Sequence, residues 1–410
     1  MNILKLSLVA IEVMSLSFRI YYCMIQVLTD LFRITLTHWT DFLFLSLAGL
    51  TVIALGVQIF YYFYFYLRIH RYRKVNPKET KDPVSVIICA KNEAENLKNF
   101  LPLVLEQDYP EFQVIVVNDG SNDGSSEILS ELQEKYKHLY VTRIEHTHPY
   151  PHAKKLAQTI GIKAANYDQL LFIDADCRPA SANWISCMQS NFLPKKEIVL
   201  GYGAYEKKRG MVNKFIRMDT LWIAQHFLSF AARGIPFMGV GRNLAYRRSL
   251  FFNNKGFANQ LHLQSGDDDL FVNYTATKTN TAIEIDPDSK TISEPMLTMN
   301  NWLRQKRRHL TAGMYYKPIH RFLIGLELVS REYFYLSVIV LLSFWKFPGY
   351  LIVLILFRWI MHLWIVKLTM KRFQEKGIWL FSLIYDLVMP IISGFLILKN
   401  KLKKNNKFAW

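Results

Sequence analysis

Apolar and polar positions divide the chain into three regimes. No charged side chain occurs from Phe42 to Leu67, and this stretch closes on the aromatic run Phe60-Tyr-Tyr-Phe-Tyr-Phe-Tyr66, followed at once by Arg68, His70, Arg71, Arg73 and Lys74. That order predicts a membrane-spanning helix, an interfacial aromatic belt and a cytoplasmic anchor. After Asn76-Pro77 and Asp82-Pro83 the pattern changes to short apolar runs separated by helical spacing. Val84–Cys89, Phe112–Val117 and Leu170–Ile173 read as buried strands, with helical patterns from Asn92 to Leu105 and from Ser125 to Tyr136 between them. Such alternation predicts an α/β fold with a mostly parallel sheet, whose ligands meet the carboxyl ends of the strands. Met211 to Phe230 reads as an amphipathic helix, and Gly239-Val-Gly-Arg-Asn243 as a tight loop near an acceptor.

Membrane character returns after Arg321. Tyr333 to Trp345 is uncharged, Phe347-Pro-Gly349 turns the chain, Tyr350 to Val366 contains one arginine, Arg358, and Ile378 to Leu398 one acid, Asp386. These predict about three further segments. If all of them cross, the Lys-rich tail from Lys399 to Lys407 falls outside, against the positive-inside rule, while Lys367, Lys371, Arg372 and Lys376 fall inside. The last segment, with Asp386, Pro390 and Gly394, is therefore expected to be re-entrant or broken. Arg358 and Asp386 are expected to pair in the bundle or to line an acceptor path. Residues 1–41 carry Lys5, Glu12, Arg19, Asp30 and Arg33 among apolar residues, and read either as an interfacial helix or as an extension upstream of the true start. The organisation is then 1–41 extension, 42–67 membrane helix, 68–83 basic linker, 84–320 cytoplasmic domain, 321–398 membrane segments and 399–410 basic tail.

Composition agrees with a mixture of soluble and membrane parts: 51% of residues are hydrophobic and 20% charged. Fifty Lys and Arg against 33 Asp and Glu give a net charge of +17, and the placement of the excess beside apolar helices points to anionic lipid rather than nucleic acid. Four cysteines without a CxxC pair argue for a reducing compartment and against structural zinc.

Each predicted strand runs into residues with chemical capacity: Ala90-Lys-Asn-Glu93, Asn118-Asp-Gly-Ser-Asn-Asp123 and Asp174-Ala-Asp176. Carboxylates two residues apart, as in Asp174 and Asp176, can share Mg²⁺ or Mn²⁺, which neutralises a diphosphate. Gly266-Asp-Asp-Asp269 concentrates three carboxylates, whose repulsion raises at least one pKa toward a general base's range.

In this order Lys91-Asn-Glu93, Val117-Asn-Asp-Gly-Ser121, His152-Ala-Lys154, Asp174-Ala-Asp176, Gly241-Arg-Asn-Leu-Ala-Tyr-Arg247, Gly266-Asp-Asp268 and Gln305-Lys-Arg-Arg308 resemble membrane-anchored family 2 glycosyltransferases of GT-A fold, related to cellulose, chitin and hyaluronan synthases. The resemblance covers about Val84 to Tyr316. It implies a Rossmann-like GT-A domain inserted between transmembrane helices, and transfer of a sugar with inversion from a nucleotide-diphosphate sugar donor to a glycan or lipid-linked acceptor of the cell envelope. It further implies Lys91, Glu93, Asp119, Lys154 and Asp174 at the donor, with Lys155 the neighbouring alternative to Lys154. Asp176 and Asp174 would hold Mg²⁺ or Mn²⁺ in a DXD-type motif. Asp268 matches the base, with Asp267 and Asp269 as supporting residues or rivals. Gln305, Arg308 and His309 would face acceptor or product; His309 stands where the family has tryptophan, and Trp302, one turn earlier, is expected to supply the stacking face instead. The basic run Arg304–Arg308 suits phosphate or anionic lipid. Two alternatives remain, a processive synthase coupled to export and a non-catalytic nucleotide-sugar binder. The implied place is a multi-pass cell-membrane protein with its catalytic domain in the cytoplasm.

Overall fold

A computed structural model describes residues 39–73, 81–145, 153–261 and 266–402, together with Tyr22 and Leu263. Most of the 1–41 extension, Lys74–Thr80 of the linker, His152 and the tail beyond Leu402 lie outside the described residues.

The first helix, α1 (Trp39–Phe60), continues through a π-helical stretch at Tyr61–Tyr66 into a last turn, Leu67–His70. The chain then alternates through β1 (Val84–Ala90), α2 (Ala94–Leu105), β2 (Phe112–Asn118), α3 (Ser125–Lys135), β3 (Leu139–Arg143), α4 (Ala153–Ala164) and β4 (Gln169–Phe172). β5 (Cys177–Pro179), α5 (Trp184–Gln189), β6 (Ile198–Leu200) and β7 (Gly203–Tyr205) lead to the long α6 (Met211–Ala232). Next come β8 (Leu244–Arg247), α7 (Arg248–Asn253), α8 (Asp269–Thr275), β9 (Thr281–Ile283), β10 (Thr291–Ser293) and α9 (Met299–Ala312). Three long helices follow, α10 (Pro318–Ser343), α11 (Pro348–Arg372) and α12 (Phe381–Leu402).

The main sheet has the order β3-β2-β1-β4-β8-β6-β9, and β8 alone runs against its neighbours β4 and β6. β1 and β2 pair in parallel from Val84↔Phe112 to Ala90↔Asn118, so both strands deliver their ends to the same edge. Their central residues are buried on both faces, the reason the sequence shows them as continuous apolar runs rather than alternating ones. A small second sheet, β5-β10-β7, forms a floor beside the end of β4.

α10 runs antiparallel along α1, with contacts from Tyr61 Oη to the Leu323 carbonyl (2.6 Å), through Gln58 Nε2 to Ser330 Oγ (2.7 Å) and Thr51 Oγ1 to Ser337 Oγ (2.8 Å), to the rings of Phe44 and Phe344 (5.9 Å). Among the described residues three helices are long and apolar enough to cross a membrane, Asp41–His70, Pro348–Arg372 and Phe381–Asn400. α10 is not among these three; it carries Arg321, Glu327, Arg331 and Glu332. Arg358 and Asp386 do pair, fully buried, with Tyr335 and Arg331 joining them.

Three expectations change. The last segment is not broken: α12 continues through Pro390, and its far end returns to the sheet domain, where Asn400 exchanges hydrogen bonds with Arg307 of α9 at 2.6 and 3.2 Å. The aromatic run is only half a belt. Tyr61, Tyr62, Phe65 and Tyr66 are buried, and α6 packs on three of them, Phe230 against Tyr61 and stacked on Phe65 at 4.0 Å and His226 meeting the Tyr66 hydroxyl at 2.8 Å. Nor is α6 amphipathic. It lies between the sheet and the long helices and is buried along most of its length, with its buried charges paired, Asp219 with Lys306 and Arg217 with Glu375, and His226 beside Glu327.

Candidate active site

The carboxyl ends of β1, β2 and β4 open onto one cleft. Loops after β1 and β2 are stitched together by the Asn92 N–H donating to Ser121 Oγ (2.9 Å) and the Asn122 N–H donating to Asn92 Oδ1 (3.0 Å), with Asn92 in the left-handed region at φ 55°. Asp119 is fully buried beside Lys91, whose ammonium stands 3.3 Å from its carboxylate. Glu93 accepts from Asn96 Nδ2 at 2.6 Å; burial raises its pKa, and Asp176 and Asp174 add to the rise. The first loop thus belongs to the same electrostatic field as the third.

Asp174, Asp176 and Cys177 offer ligand atoms that all lie within 4.8 Å of one another. Burial and the charge of Asp174 push the Asp176 carboxyl above its usual range, a repulsion that a shared cation would remove. The Cys177 thiol is already engaged with Ser293 Oγ (2.8 Å) and Asp176 Oδ1 (3.1 Å), and burial pushes its pKa up, which leaves the two hard carboxylates as the fitting donors for Mg²⁺ or Mn²⁺.

Opposite this pair, Gly266 turns the chain at φ 95° into three consecutive acids that the structure gives separate surroundings. Asp267 lies 3.4 Å from Lys154 Nζ; burial alone would raise its pKa, and the ammonium reverses this and lowers it. Asp269 turns inward and accepts from the Tyr316 hydroxyl at 2.9 Å, while burial and Asp268 hold it well above the carboxylate range. Asp268 caps α8, accepting the Asp269 N–H at 2.8 Å and the Gly241 N–H at 2.6 Å. Burial, then the neighbouring charge of Asp267, push its carboxyl up to about 6. Of the three acids it is the one poised to take a proton near neutral pH.

Lys154 joins the two acidic loops, 3.2 Å from Asp174 and 3.4 Å from Asp267. Burial alone would lower its pKa, but Asp174, Asp267 and Asp268 hold it well above the ordinary value, so the ammonium stays charged. Lys155 points away: buried, it donates to the Gln260 and Leu263 carbonyls at 2.7 and 2.6 Å and fastens the chain that leads to Gly266. The structure separates the two lysines that the sequence left side by side.

α9, begun by Thr298 Oγ1 accepting the Asn301 N–H at 3.2 Å, supplies the fourth wall. The Tyr205 hydroxyl donates to Gln305 Oε1 at 3.4 Å, Arg308 acts electrostatically on Lys154 and Asp267, and His309 is exposed. Trp302 does not provide a stacking face. It is 2% exposed and packs edge-on against Phe215 at 5.0 Å, because α6 and α12 cover that side of the helix. The basic run is likewise divided: Lys306 is buried on both Asp219 carboxylate oxygens (2.7 and 2.9 Å), and the Tyr385 hydroxyl of α12 donates to the same acid at 2.8 Å.

The sequence placed Gly241 in a tight loop near an acceptor and gave Arg242 no role of its own, though both stand in a quoted motif. A Cβ on Gly241 would come within 3.3 Å of Asp268 Oδ2, so glycine lets this backbone reach the acid. Arg242 lies over the Tyr205 ring at 4.5 Å.

Residues 85–252 match the family model described as glycosyl transferase family 2. Poly-beta-1,6-N-acetyl-D-glucosamine synthase of Staphylococcus epidermidis is 29% identical over 122 residues, 28% of this chain and 27% of that protein. Glycosyltransferase AglE of Haloferax volcanii is 39% identical over 98 residues, 23% of this chain and 31% of its own. The chain thus spans under a third of the length of these relatives. Among solved structures, the mannosyltransferase PcManGT of Pyrobaculum calidifontis, in complex with GDP-Man and Mn2+, superposes with a TM-score of 0.58 at 16% identity, over 88% of this chain and 99% of that one. That likeness shows the GT-A fold.

Proposed function

We propose that this chain, whose residues 85–252 form a glycosyl transferase family 2 domain, is a membrane-bound inverting glycosyltransferase that passes a sugar from a nucleotide-diphosphate donor to an acceptor hydroxyl of a glycan or lipid-linked glycan. The observation that carries the reading is Lys154 spanning Asp174 and Asp267, which fixes the DXD-type loop and the Asp268 loop on opposite sides of one cleft. Similar donor chemistry is stated for one fold neighbour, which was solved with GDP-Man and Mn2+.

In this mechanism Asp119 and Lys91 receive the nucleoside, and Asp174 with Asp176 would hold Mg²⁺ or Mn²⁺. The cation, when bound, neutralises the departing diphosphate. Lys154 and Arg308 add fixed positive charge on that side. Asp268 accepts the proton of the acceptor hydroxyl as its oxygen attacks the anomeric carbon from the face opposite the leaving group, so the configuration inverts. Gly241 and Asp269 N–H groups hold the Asp268 carboxyl in place during this transfer. Gln305, Arg308 and His309 border the acceptor.

The same proposal places the sheet domain on the cytoplasmic face of a cell membrane, reached by α1 and followed by α11 and α12. Support comes from the basic residues directly after α1 and from the return of Asn400, which follows Lys399, to α9. The test is chemical: purified protein in detergent with Mn²⁺, a panel of nucleotide sugars and a glycan acceptor should give a product whose anomeric configuration, read by NMR coupling constants, is opposite to the donor's. Retained configuration would refute a single displacement assisted by Asp268.

A further inference from the structure

Arg242 is a cation built into the wall of the cleft, and among the described residues no carboxylate forms an ion pair with it. Its aliphatic stem lies so close to β7 that a Cβ on Gly203 would stand 2.6 Å from its Cγ and Nε and 2.7 Å from its Cδ. Its guanidinium rests on the Tyr205 ring at 4.5 Å, and Tyr205 is itself held by Gln305. Glycine beneath and tyrosine beside therefore restrict the side chain to one path, which lowers the entropy lost when it binds a ligand. Only the backbone of Arg242 is hydrogen-bonded among the described residues, its carbonyl accepting from Thr291 Oγ1 at 2.8 Å. Ser293 of β10 pairs with Tyr205 on one side and with Cys177, next to Asp176, on the other, so the guanidinium on the Tyr205 ring stands beside the cation-binding pair, and Asp176 and Asp174 are the carboxylates that act on it.

We infer that Arg242 binds the diphosphate of the nucleotide-sugar donor, as a second, protein-borne positive charge next to the metal. The inference rests on the glycosyltransferase reading above. A diphosphate held by Asp174 and Asp176 through a divalent cation is the nearest anion this cleft would contain. A planar guanidinium with free N–H donors matches its oxygens, and an arginine cannot lose its charge as the leaving group departs. Gly203 is then required by the anion site and not by the strand, since β7 needs no special backbone angle there.

Calorimetry in detergent with Mn²⁺ tests this, using UDP, GDP, ADP and CDP and the matching monophosphate of whichever binds. Arg242→Gln should weaken the diphosphate by about tenfold or more and the monophosphate by less than about twofold, with Arg242→Lys intermediate. Gly203→Ala, which keeps the arginine but displaces it, should reproduce the Arg242→Gln pattern. Unfolding temperatures of the variants are measured alongside, so that misfolding is read separately. Diphosphate affinity within twofold of wild type in a folded Arg242→Gln protein would overturn the assignment, as would an equal loss for the monophosphate. If the wild type bound none of the four diphosphates, the donor reading itself would fall, and this inference with it.

Discussion

Replacing Lys306 by methionine removes one half of a buried ion pair and leaves the other half in place. Lys306 Nζ stands 2.7 and 2.9 Å from the two Asp219 oxygens, and the paired side chains are 10% and 5% exposed. With charge centres about 4 Å apart and an effective dielectric near 20, the attraction is about 4 kcal/mol. Without it, Asp219 keeps the Tyr385 hydroxyl alone among the described residues. Breaking a buried pair on one side costs about 3–5 kcal/mol, whereas exchanging both partners for apolar groups of similar volume is often close to neutral. Lys306→Met should therefore lower the apparent unfolding temperature in detergent by roughly 6 °C or more, taking about 2 °C per kcal/mol as the low end for a large domain. The double variant Asp219→Leu, Lys306→Met should recover at least half of that loss. Because α9 also carries Gln305, Arg308 and His309, the single variant should raise the acceptor KM more than the donor KM. A single variant within about 1 kcal/mol of wild type, or a double variant no better than the single, would refute the reasoning.

Other outcomes follow from the same geometry. With the Asp268 carboxyl pushed up to about 6 and the ionised form acting as base, kcat/KM should fall as pH drops through about 6 and level off above it; a flat acid limb would exclude this acid. Trp302→Ala should destabilise the protein by about 3–5 kcal/mol, as loss of a core aromatic does, with acceptor KM unchanged in whatever fraction folds; selective loss of acceptor binding would return the ring to the cleft. Chelation of divalent ions should abolish diphosphate release, and Asp176→Asn should raise the Mn²⁺ concentration needed for half-maximal rate, whereas activity indifferent to both would remove the metal from Asp174 and Asp176.

How much of this was legible in the sequence depends on where the determining partner lies. Strands β1, β2 and β4 were readable because burial on both faces makes each a local apolar run, and their parallel arrangement forces the polar residues that follow onto one edge. Asp174, Asp176 and the Gly266–Asp269 turn were visible for that reason. Strands of three residues in the second sheet carry no such period, so β5, β7 and β10 left no trace. Helical spacing put Trp302, Gln305 and His309 on one stripe but could not say that Phe215 closes over the first of them. Lys154 and Lys155 are neighbours in sequence and face opposite environments, a distinction set by Asp174 on one side and the Gln260 carbonyl on the other. For α6 the spacing suggested a polar face, while Lys306, Glu375 and Glu327 reach its charges from distant parts of the chain.

The most direct test of the central claim separates binding from chemistry in Asp268→Asn. Donor affinity is measured by calorimetry with Mn²⁺, and turnover by nucleoside diphosphate release from the nucleotide sugar that the wild type uses. The account predicts donor affinity within a few-fold of wild type and a rate lower by about a hundredfold or more, as expected when a general base is removed. Turnover near the wild-type rate with donor binding intact would contradict it.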